Sequence, residues 1–212
     1  MGGRVVSNFD GQGITPWITQ NFFSKPENPR AIIFLDRDDT LVKDFGSKTH
    51  KRLPQLNLHL VKEISIISKK LNHRIIIVVI TNQAKIFKKE TSVFKLRIFH
   101  VILVIYCRAY GVRIQRIVTC PHIASTNCEC RKPKPTTILD TINKYDCKLI
   151  PRFMIGNSIT DIQAGLEADC VTLGINGKVL DPIYKEVNRL FLGYFKLESS
   201  FAPAILNKIV HN

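Results

Sequence analysis

Two carboxylates spaced two positions apart close a short apolar run in FLDRDDTL, residues 34–41: Asp36 and Asp38. Just past a buried strand, such a pair can face one pocket while the intervening Arg37 points elsewhere. Phosphoryl transfer asks for a nucleophile, a proton donor for the leaving oxygen, and neutralisation of charge on the phosphoryl oxygens. Asp36 can attack phosphorus to give an aspartyl-phosphate. Asp38 can protonate the leaving alkoxide and later deprotonate the hydrolytic water. Two carboxylates repel a phosphate, so a divalent cation is required, and Mg²⁺ suits oxygen ligands. A solvated acidic turn after a strand would show the same residues, so this pair does not decide the matter alone.

A second constellation is more specific. In TCPHIASTNCECRKPKP, residues 119–135, Cys120, His122, Cys128 and Cys130 form a C-x-H-x5-C-x-C set. Three thiolates and an imidazole complete a closed tetrahedral Zn²⁺ shell with no open position for water, so the zinc is expected to be structural. A disulfide or unrelated surface cysteines are the alternatives. Arg131 and Lys132 follow the last ligand directly, so the loop would present both cations to a substrate. Arg131 can grip a phosphate or polar group through its planar fork, and Lys132 can counter charge on Asp36 and on the phosphoryl group.

The elements that must position these groups alternate. Ala31–Asp36, Arg74–Thr81, Arg113–Cys120, Arg152–Asn157 and Cys170–Ile175 read as strands. Segments 58–71, 94–110, 137–145 and 162–168 carry helical stripes or apolar helical stretches. Strands alternating with helices predict an α/β fold with a parallel sheet covered on both faces. Ligands of such sheets bind beyond the carboxyl ends of the strands. There the polar groups gather: Asp36 and Asp38, Thr81 and Asn82, Cys120 and His122, Asn157 and Asp161. Residues 1–30 read as an N-terminal extension without sustained period, 31–178 as the domain, and 179–212 as a helical extension packed on it.

The motifs together resemble those of the haloacid dehalogenase (HAD) superfamily of phosphatases. D-x-D-x-T is matched by Asp36, Asp38 and Thr40, and VITNQ, residues 79–83, resembles the second motif. The resemblance implies that Thr81 and Asn82 hold the transferring phosphoryl group and that Lys132 is the third-motif lysine. MIGNSITDIQAG, residues 154–165, resembles the fourth motif, with Asp161 supporting the loop or the metal's surroundings. The CPH…C-x-C-R-K-P arrangement is similar to the subgroup containing heptose 1,7-bisphosphate and histidinol-phosphate phosphatases. That subgroup implies a Rossmann-like domain with no large cap, Mg²⁺ at Asp36, Asp38 and Asn157, and Zn²⁺ in the loop. The chain departs from the pattern at several positions, Thr136-Thr137 standing where Gly-Met is common after R-K-P-x-P. Asn157 replaces a usual metal-binding aspartate, and Asp39 and Lys85 replace usual glycines.

The 212-residue chain carries a formal net charge of +14, which favours anionic partners. A phosphorylated small molecule fits that charge, with a sugar phosphate such as a heptose bisphosphate as first expectation and histidinol phosphate beside it. A polynucleotide 3′-phosphatase is a further reading, weakened by the zinc set and by the absence of a kinase P-loop. A fold that kept its architecture and lost its chemistry is another, prompted by Asn157 and Asp39. With no apolar leader segment and reduced thiols, a cytoplasmic monomer with no membrane attachment is expected. Five histidines, including His100, show no partner spacing and read as ordinary surface or helix residues.

Overall fold

A computed structural model describes residues 17–46, 52–175, 190–195 and 199–211. Seven strands form one sheet: β1 (Ile18–Asn21), β2 (Ala31–Leu35), β3 (Ile75–Asn82), β4 (Arg116–Cys120), β5 (Arg152–Gly156), β6 (Val171–Ile175) and β7 (Phe191–Phe195). Their order is β1-β4-β3-β2-β5-β6-β7. All neighbours pair in parallel except β1, which runs antiparallel to β4. The central strands are apolar at nearly every position, as a sheet buried on both faces demands.

Alternation along the strands divides the core in two. Ile33, Leu35, Ile77, Val79 and Ile155 pack on one face against α1 (Leu58–Lys70), α3 (Val93–Ala109) and α6 (Ala202–Val210). Ile32, Phe34, Val78, Ile80 and Met154 face α4 (Thr136–Tyr145) and α5 (Ile159–Glu167). A short helix, α2 (Ala84–Phe87), follows β3. The result is the expected α/β architecture. Gly165 on α5 lies so close to Met154 and Thr172 that a Cβ there would overlap both, which fixes α5 against β5 and β6.

Two segments differ from the sequence reading. Within the lead-in, Ile18–Asn21 forms an edge strand, four residues too few to show a period-2 pattern. In the tail, Phe191–Phe195 is a strand beside β6, where a helix or cover was expected. The helix comes later, at Ala202–Val210.

Candidate active site

From β2 the chain proceeds to β3 and β4 on one side, then crosses to β5 on the other. The sheet therefore changes direction at the carboxyl end of β2, the place where open α/β sheets hold ligands. Asp36 is the first residue past β2, only 8 % exposed, and its N–H donates to the Ile155 carbonyl at 2.9 Å. Lys132 reaches it from the loop after β4, with Nζ 2.5 Å from Asp36 Oδ1 and 2.8 Å from the Ile80 carbonyl. The same Nζ lies 2.6 Å from Asp161 Oδ1. Asp161 is itself fixed, since its Oδ2 accepts from Ser158 N at 3.0 Å and Ser158 Oγ at 2.6 Å, closing the N-terminal box of α5. Gly156 allows this approach: a Cβ there would overlap the Asp161 carboxylate.

Charge explains the electrostatics. Burial pushes Asp36 up to about 7, the neighbouring Asp161 and Asp38 add to the rise, and Lys132 opposes it. Burial works against the charged form of Lys132, but Asp161 and Asp36 outweigh it and hold the ammonium above the ordinary lysine range.

Asp38 has a different setting. Arg37 clamps it from Nε and Nη2, each 2.9 Å from one carboxylate oxygen. Gln83 Nε2 donates to Asp38 Oδ2 at 2.6 Å and lies 2.9 Å from Thr81 Oγ1. Arg37 does not point away from the pair, as the sequence suggested; it is fully buried and binds Asp38. Gln83 was not singled out from the sequence, although it is the fifth residue of VITNQ. Its Oε1 is buried without a hydrogen-bond partner.

Asn82 and Arg131 are engaged elsewhere than expected. Asn82 Nδ2 donates to the Lys132 carbonyl at 3.1 Å, and its Oδ1 accepts from Lys132 N at 3.2 Å. Asn82 thus braces the lysine's backbone. Arg131 Nη1 donates to the His122 carbonyl at 3.0 Å, within its own loop. Asn157 Oδ1 accepts from Thr40 Oγ1 at 3.4 Å. Asn157 and Thr40 border an open cleft of about 690 Å³, whose other walls include Asp39, Lys43, Gln55 and Asn57.

Beside the carboxylates, Cys120, His122, Cys128 and Cys130 bring one donor atom each within 4.8 Å of the rest. Closest separations run from 3.2 Å, His122 Nδ1 to Cys130 Sγ, to 3.7 Å, Cys120 Sγ to His122 Nδ1. A tetrahedron with metal–sulfur bonds of about 2.3 Å has edges of roughly 3.5–3.8 Å, close to these values. Sulfur separations of 3.5 and 3.6 Å are far beyond a disulfide bond, and all six cysteines are free thiols. A donated bond from Cys130 holds the Cys120 thiol down at about 5, while giving that proton to Cys120 pushes Cys130 upward.

The sheet order and its switch point are those of the HAD-like fold. Among solved structures, a D,D-heptose 1,7-bisphosphate phosphatase from B. bronchiseptica, complexed with magnesium and phosphate, superposes with a TM-score of 0.69. That match has 23% identity and covers 84% of this chain and 99% of that one. In sequence the chain is similar to the D-glycero-beta-D-manno-heptose-1,7-bisphosphate 7-phosphatase of Neisseria meningitidis, 36% identical over 88 residues, 42% of this chain and 47% of that protein. The Helicobacter pylori protein of the same name is 29% identical over 150 residues, 66% of this chain and 80% of that protein. Against the meningococcal and Campylobacter relatives the match spans about half of their length. No protein-family model matches the chain.

Proposed function

We propose that the chain is a phosphomonoester hydrolase working through an aspartyl-phosphate, with a sugar phosphate of the heptose 1,7-bisphosphate type as substrate. The observation that carries this reading is the buried Asp36–Lys132–Asp161 set beside Asp38 at the switch point of the sheet. The relatives' names support the substrate class.

The donors fit a hard cation. Asp36, Asp38 and Asn157 offer oxygen donors, and burial together with the neighbouring Asp161 and Asp38 pushes Asp36 upward, a setting that an added cation would relieve. A Mg²⁺ ion held there would neutralise charge on the phosphoryl oxygens when bound. Asp38 keeps fewer free lone pairs for a cation, since both its oxygens already accept from Arg37 and Gln83.

Asp36 attacks phosphorus, and the bond from phosphorus to the leaving oxygen breaks as Asp38 delivers its proton to that oxygen. Water then attacks the aspartyl-phosphate, Asp38 takes the water's proton, and phosphate departs with the Asp36 carboxylate restored. Lys132 keeps the nucleophile in place and counters charge throughout. The test is Mg²⁺-dependent phosphate release from heptose 1,7-bisphosphate, histidinol phosphate and a 3′-phosphorylated oligonucleotide. Release from the heptose compound, lost by at least about 10³-fold in Asp36→Asn with folding and zinc content intact, is expected. No release from any of them by folded protein would overturn the reading in favour of a scaffold that lost its chemistry.

A further inference from the structure

A buried chain of polar side chains runs from the acid–base residue to the edge of the sheet. Arg37, with no exposed surface, uses Nε and Nη2 on Asp38, and its Nη1 meets His100 Nε2 at 3.1 Å. Its guanidinium carbon also lies 5.1 Å from the centre of the Phe99 ring. On the far side of the imidazole, His100 Nδ1 is 2.7 Å from Gln20 Oε1. Gln20 belongs to β1, and its Nε2 donates to the Arg97 carbonyl on α3 at 3.4 Å.

The donors run in one direction. Because the Gln20 amide nitrogen is turned to the Arg97 carbonyl, its oxygen faces His100. Nδ1 of the imidazole must then carry the proton, and Nε2 offers its lone pair to Arg37. An arginine between two carboxylate oxygens and an imidazole lone pair has its plane fixed at both ends. A guanidinium without that second anchor could rotate about its last bonds and carry the Asp38 carboxylate with it. Misplacing a proton donor by as little as an ångström costs much of its catalytic worth.

We propose that His100 and Gln20 are positioning residues that act through Arg37 to aim Asp38 at the leaving oxygen. This rests on the role of Asp38 proposed above. It makes α3 and the edge strand β1 parts of the catalytic machinery, though neither touches the substrate. An aimed proton matters where the leaving group is a poor one, and hardly at all where it departs readily as an anion.

The test compares heptose 1,7-bisphosphate, an alkyl phosphate, with 4-nitrophenyl phosphate, whose leaving group needs no proton. His100→Leu is expected to lower kcat/KM, which reports the step that forms the aspartyl-phosphate, by about tenfold or more on the alkyl phosphate and by less than about threefold on the nitrophenyl ester. His100→Gln, which can accept from Arg37 and donate to Gln20, should restore most of the loss. If His100→Leu fails to fold, Gln20→Ala on the edge strand is expected to show the same split at smaller size. Equal losses on both substrates, or no loss on either, would overturn the proposal. Should the wild-type chain turn over neither ester, the hydrolase reading falls by itself. The wiring is then decided by thermal unfolding of Asp38→Asn, His100→Leu and the double variant: a double loss smaller than the sum supports it, and additivity overturns it.

Discussion

At the scale of single residues, the site is governed by an imbalance of buried charge. Asp36, Asp38 and Asp161 face Lys132 and Arg37, and burial leaves Asp36 pushed up to about 7. A nucleophile must be ionised, so at limiting Mg²⁺ the rate is expected to fall as pH drops through about 7. A bound cation stabilises the carboxylate and should move that acidic limb to lower pH. A limb that stays put across a Mg²⁺ titration would speak against Asp36 as a cation ligand. The sign for stability follows from proton binding. Between its ordinary value and about 7, Asp36 holds more protons folded than unfolded, so its contribution to stability declines as pH rises through that window. The gathering of Asp36, Asp38, Lys132 and the Cys/His cluster was legible because each sits in a short local pattern. Arg37 and His100 were not. Their contact joins residues 63 positions apart, and nothing in a single sequence marks that distance.

At the scale of elements, the departures from the HAD pattern become coherent. Asp39 has φ of 54°, in the left-handed region that a glycine would occupy without cost, and Asp tolerates it better than most side chains. Its carboxylate accepts from Asp44 N at 2.9 Å. Asp44 in turn meets Lys85 Nζ at 3.2 Å, so both replaced glycines are tied into one link between the loop after β2 and helix α2. The loop carrying the Cys/His cluster is the second such device. It joins β4 to the segment bearing Lys132, and Asn82 clasps that segment's backbone from β3. One zinc per chain is expected by metal analysis. Its removal with a chelator should free thiols to a titrant and reduce phosphate release by about tenfold or more, while far-ultraviolet circular dichroism changes little. The sheet's two apolar faces do not depend on the loop. Collapse of the whole dichroism signal would show instead that zinc holds the fold.

At the scale of the whole molecule, the parallel sheet and its switch point could be read from alternating strands and helices, but the two edges could not. β1 is short and β7 lies in a stretch whose aromatic residues fit strand or helix equally. Besides strand pairing and apolar packing, a carboxylate ties the tail to the domain. Glu63, buried on α1, accepts at 2.8 Å from Ser200 Oγ and from the N–H groups of Phe201 and Ala202, at the start of α6. Burial alone would raise Glu63, but the Ala202 N–H, the Ser200 hydroxyl and the Phe201 N–H together bring it below the usual glutamate range. A carboxylate at a helix N-terminus is favoured by the exposed N–H groups and by the helix dipole. Glu63→Gln keeps the shape and removes the charge, so it is expected to cost about 1–2 kcal/mol. Because the folded value is depressed, this contribution is complete above the unfolded glutamate range and disappears as pH falls through the folded one. The wild-type and Glu63→Gln melting temperatures should therefore separate at neutral pH and converge as the pH falls below the ordinary glutamate range. A constant gap between the two curves from acid to neutral would mean that Glu63 holds α6 by packing, with its charge contributing nothing.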